Sequence, residues 1–110
     1  MDAFMAYMDE LDREFVRQEQ VHLEEHCKDE ANFAKIKSNV CGICRTLYQV
    51  ACKKTTEEEK RSEYLRLTGK LMTEWENSYT RAKEHDDVKK LVVEEAKLSV
   101  IRDIRNRFEQ

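Results

Sequence analysis

The chain contains no proline and only two glycines, Gly42 and Gly69. Clusters of Gly, Pro and Asn punctuate β-sandwiches and meanders, so their scarcity argues against an all-β fold. Long apolar runs are missing too. No segment approaches the roughly 20 apolar residues needed to span a bilayer. The start, Met1-Asp2-Ala3-Phe4, lacks the basic stretch and apolar block of a signal peptide. The expectation is therefore no membrane and a cytoplasmic location. A strong charge of one sign is also absent. The net charge is −3 and the pI about 5.7, which argues against general nucleic-acid binding. No Gly-rich phosphate loop and no glycosidase-like pair of acids stands out, and no enzyme is expected.

What the chain does contain is charge of both signs, 39% of its residues, mixed with good helix formers such as Ala, Leu, Met, Glu, Lys and Gln. Its 110 residues fit one domain with a modest core. The composition reads as all-α. The expected architecture is a single antiparallel bundle of three to four long helices, at about 2–27, 31–53, 57–84 and 87–108.

Apolar spacing supports each element. Phe4, Met8, Leu11 and Phe15 recur at four, three and four, a narrow stripe on a helix. Asp12, Arg13, Glu14 and Arg17 fall outside it. The stripe continues through Gln18 and His22 to His26, losing its apolar character where the histidines begin. Residues 24–32 are strongly polar, a loop or an exposed stretch of one long helix, and the polar run suggests a turn near Glu30.

In the second helix, Phe33, Ile36, Val40, Ile43, Leu47 and Val50 form a heptad seam. The seam is the expected core face, and Cys41, Cys44, Tyr48 and Cys52 make a neighbouring stripe. Gly42 inside this helix costs about 1 kcal/mol against Ala, and allows close backbone approach or marks a break.

Lys53-Lys54-Thr55-Thr56 is the clearest boundary. Two lysines suit a helix C-terminus, and Thr56 with Glu59 fits a capping box. Tyr64, Leu67, Leu71, Trp75, Ser78 and Ala82 then line the third helix. His85-Asp86-Asp87 is a short connection, with Asp86 or Asp87 as N-cap. The fourth helix is apolar on two sides, which calls for two neighbours or an oligomer interface.

The residues richest in chemistry are His22-x-x-x-His26-Cys27 and Cys41-x-x-Cys44. His22 and His26 share one helix face, as do Cys41 and Cys44. Each pair can fill two positions of a tetrahedral Zn²⁺ site, so His22, His26, Cys41 and Cys44 are the candidate metal ligands. In an antiparallel hairpin the pairs converge only if the turn is centred near Phe33. A turn near Glu30 leaves them roughly 5–10 Å out of register. The bland alternative is core-capping histidines and semi-buried packing thiols.

Three related readings carry less weight. A redox Cys-x-x-Cys belongs beside a βαβ unit, and none is visible. Glu19-Gln20-Val21-His22 is a di-iron-type E-x-x-H, but that architecture needs two. A catalytic pairing of Cys27 with a histidine meets a wheel angle of roughly 120–140°.

The functional expectation is a small non-enzymatic interaction or regulatory module. It is expected to form a homodimer or bind a protein partner, without a cofactor. The first alternative is a Zn-type metal-binding protein using His/Cys ligands. The second is a nucleic-acid-binding regulator using Lys89, Lys90, Lys97, Arg102, Arg105 and Arg107 of the last helix.

Overall fold

The computed structural model describes residues 2–110. Among them are four helices and no strand: α1 (Ala3–Glu24), α2 (Lys28–Ala51), α3 (Glu57–Glu84) and α4 (Val88–Glu109). The all-α bundle matches the sequence reading, and the helix count settles at four. No helix is long and apolar enough to cross a membrane.

The helices form two antiparallel hairpins, α1–α2 and α3–α4, joined by the short connection after Ala51. α2 and α4 lie at the centre, and α4 packs against both α2 and α3, which accounts for its two apolar sides. The backbone measures 46 × 35 × 20 Å. Twenty ångströms is two helix layers, while 35 Å exceeds two helices side by side. The α1 and α3 backbones do not pack against each other, which spreads the bundle in that direction.

Their bases are fastened by aromatic rings. Phe4, Tyr48, Tyr64 and Phe108, one from each helix, lie pairwise with centroids 4.7–6.2 Å apart. Most of these pairs are edge-to-face, the arrangement the ring quadrupoles favour. A polar chain runs alongside. Arg105 Nη1 donates to the Leu65 carbonyl at 2.9 Å and to Thr68 Oγ1 at 2.7 Å. Thr68 Oγ1 donates to the Tyr64 carbonyl at 2.7 Å, and Tyr64 Oη donates to the Cys44 carbonyl at 3.2 Å. Gly69 makes room for this: a Cβ there would stand 3.2 Å from Arg105 Nη1. Gly42 has no such role, and α2 runs through it unbroken.

The core corrects the sequence reading of α2. Its fully buried residues are Ala31, Ala34, Val40, Cys41, Cys44 and Ala51. The stripe of small residues and thiols faces inward with Val40, while Ile43 and Val50 of the expected seam are 40% and 43% exposed. The cause is steric. α1 presents the large residues Phe4, Met8, Leu11 and Phe15, and close packing requires small ones opposite. Arg45 fixes the register of this hairpin, meeting Asp9 at 2.9 Å and Asp12 at 3.1 Å. Ser38 adds a hydrogen bond to Asp12.

The helix ends follow local chemistry. Asp2 caps α1 by accepting from Phe4 N at 2.8 Å. Thr56 caps α3 by accepting from Glu59 N at 3.1 Å, and Asp87 caps α4 by accepting from Lys90 N at 3.1 Å. The first turn is where the sequence reading fails. α1 ends at Glu24 and α2 starts at Lys28, so the turn is centred on His26, not near Glu30. His26 takes a left-handed conformation, φ 63°. The polar run that looked like a loop is the first turn of α2, where Asp29 and Glu30 meet the positive end of the helix dipole.

Candidate functional site

The two hairpin turns have the same backbone form. In the first, Cys27 N donates to the His22 carbonyl at 2.7 Å and His26 N to the Leu23 carbonyl at 3.2 Å. In the second, Asp87 N donates to the Ala82 carbonyl at 2.8 Å and Asp86 N to the Lys83 carbonyl at 3.3 Å. Both are Schellman endings, with His26 or Asp86 in the left-handed position usually held by Gly.

The side chains of the two turns differ in what they do. Asp87 caps the helix that follows it, whereas Cys27, at the matching N-cap of α2, makes no capping hydrogen bond. The Cys27 thiol instead lies 3.7 Å from the Glu25 carbonyl oxygen. His22, Glu25 and Cys27 each offer a ligand atom, and these atoms all lie within 4.8 Å of one another. His22 Nδ1 is buried and has no hydrogen-bond partner. Glu25 is exposed, and the other two are half-buried.

The four ligands expected from sequence are not brought together. The pairings of Asp9 and Asp12 with Arg45, and of Asp12 with Ser38, set Cys41 and Cys44 level with residues around Met8 to Asp12. His22 and His26 lie about 20 Å further along the hairpin. A turn centred on His26 does not meet the condition for convergence, which was a turn near Phe33. His26 occupies the turn itself and is exposed. Cys41 and Cys44 are fully buried, and that burial pushes both thiols up to about 12. They are protonated packing groups, poorly suited to metal ligation or thiol exchange at neutral pH.

Sequence reasoning reached His22 and Cys27 but set them apart on a helical wheel. The wheel does not apply past Glu24, because the left-handed residue at His26 folds Cys27 back over the last turn of α1. Glu25 carried no signal of its own.

The basic residues of α4 are largely occupied. Arg102 pairs with Glu76 at 3.3 Å, Lys97 with Glu94 at 3.2 Å, and Arg105 with α3 as described above. Arg107 lies over the Tyr7 ring at 4.9 Å. Lys89 and Lys90 are exposed.

The fold and this geometry define an all-α bundle of two packed helical hairpins. Comparison with family models, with curated proteins and with solved structures finds no match.

Proposed function

We propose that this protein is a small, non-enzymatic interaction module of the cytoplasm that self-associates as a homodimer. One observation carries the reading. The large apolar row of α2, at heptad spacing, is only partly used by the intramolecular core, which fully buries Val40 alone of it. Ile43 and Val50 are 40% and 43% exposed, and Phe33, Ile36 and Leu47 are only partly covered. An apolar row at this spacing suits packing against the same row of a second copy, the isologous contact of a two-fold dimer. The inert thiols of Cys41 and Cys44 fit a structural role better than a catalytic one.

Light scattering coupled to size exclusion tests this across a range of concentrations. The wild type is expected to run as a dimer at high concentration. Ile43→Lys with Val50→Lys is expected to give a monomer, with stability changed by about 0.5 kcal/mol or less per site in the isolated chain. A wild type that stays monomeric at every concentration overturns the proposal.

A metal-binding role is the second reading, favoured by the grouping of His22, Glu25 and Cys27. The nucleic-acid reading draws little support, because most of the α4 cations it relied on have partners within the chain.

A further inference from the structure

The first turn departs from what turn chemistry alone would select. A helix N-cap favours Ser, Thr, Asp or Asn, and a left-handed C′ position favours Gly or Asn. The second turn obeys the first preference with Asp87. The first turn has Cys27 where a cap belongs, and the thiol caps nothing. It also has an imidazole nitrogen, His22 Nδ1, that is buried and unpartnered, an arrangement that costs free energy unless something satisfies it. Two separate oddities thus occur in residues that, with Glu25, each offer a ligand atom within 4.8 Å of the others.

We propose that His22, Glu25 and Cys27 form a binding site for a borderline divalent cation of the Zn²⁺ type, built by the Schellman turn between α1 and α2. The donor set is one nitrogen, one oxygen and one sulfur. A thiolate with an imidazole selects zinc over calcium or magnesium, which take six or more oxygens. Zinc holds its ligands at about 2.0–2.3 Å, so in a tetrahedron the ligand atoms lie about 3.3–3.8 Å apart. The three atoms already lie within 4.8 Å of one another. The exposed Glu25 side chain can rotate to close the remainder.

The backbone fixes the two other ligands. The 2.7 Å hydrogen bond from Cys27 N to the His22 carbonyl ties their main chains together. Three protein ligands leave the fourth position to water. Coordination takes the thiolate, so the Cys27 proton is released to solvent as the metal binds. The site is independent of the proposed dimer, since it lies on the turn and not on the α2 row.

Co²⁺ titration of the full, untagged chain tests this. The expected result is one Co²⁺ per chain, with the strong visible absorption of tetrahedral cobalt and a thiolate charge-transfer band, both removed by Zn²⁺ and not by Ca²⁺. Cys27→Ser is expected to abolish the charge-transfer band. His22→Gln and Glu25→Ala are each expected to weaken binding by at least about 100-fold, since losing even an outer-shell partner costs 10–100-fold. Cys52→Ser is expected to bind as the wild type does. Far-ultraviolet circular dichroism confirms that each variant is folded, and the exposed Glu25→Ala keeps the test alive if His22→Gln is not. The proposal is overturned if the wild type binds no Co²⁺ or Zn²⁺, or if the charge-transfer band survives Cys27→Ser. A band lost instead in Cys44→Ala overturns it as well.

Discussion

The four cysteines share a side chain but not an environment. Cys41 and Cys44 are fully buried against Met8, Ile101 and Tyr64, Cys27 is half-buried at a turn, and Cys52 is exposed. Thiolate is the reactive form, and a thiol pushed up to about 12 has only about one thiolate in ten thousand at pH 8. A thiol reagent added to the native protein is therefore expected to modify Cys27 and Cys52, leaving Cys41 and Cys44 untouched until denaturant is added. Mass mapping of the labelled peptides checks this. Rapid native labelling of Cys44 would show that the core is not packed as described. That burial is not visible in the Cys41-x-x-Cys44 spacing that makes these thiols candidate ligands. Spacing reports a shared helix face, but it does not report whether that face meets solvent or another helix.

At the scale of elements, the strongest signals lay in periodicity and caps. The third helix was legible to the residue, because Thr56 and Glu59 cap it as a pair and His85-Asp86-Asp87 ends it. The first turn was not, because its defining feature is a left-handed backbone at His26, and histidine does not advertise that conformation as glycine or asparagine does. The core face of α2 was misread for a different reason. Size and spacing point to the seam from Phe33 to Val50 as the core, but of these only Val40 is fully buried, because fit to the large residues of α1 selects small ones.

The left-handed turns also lead to a measurement. A non-glycine residue there costs roughly 1–2 kcal/mol, less for Asp because its side chain bonds locally. His26→Gly is expected to raise unfolding free energy by about 1 kcal/mol, and Asp86→Gly by less. Urea denaturation of both variants compares them. A destabilised His26→Gly would mean that the imidazole makes a contact worth more than the backbone strain.

At the scale of the whole molecule, the two hairpins are joined at their shared base. Asp2 caps α1 and also accepts from Tyr48 Oη, tying α1 to α2 beside the ring cluster. The bond to Tyr48, helped by those from Phe4 N and Met5 N, holds the Asp2 carboxyl below its ordinary value. Burial, with Asp2 second, pushes the Tyr48 phenol up. A lowered carboxyl contributes stability that is complete above its unfolded value near pH 4 and is lost as pH falls through the folded one. Asp2→Asn is thus expected to be less stable than the wild type at pH 7 by up to about 1 kcal/mol, a modest figure because the group is mostly exposed. The gap should narrow below about pH 4, as thermal melts across that range would read. A gap that is constant with pH would remove the charge from the account.

The ring cluster has a consequence in time as well as in space. Each hairpin is made of contacts between neighbours in the chain, and such contacts form quickly. Phe4 and Phe108 stand at opposite ends of the described sequence, and their meeting requires closing nearly all of it. The Phe4–Phe108 contact is therefore expected to close only after each hairpin has formed.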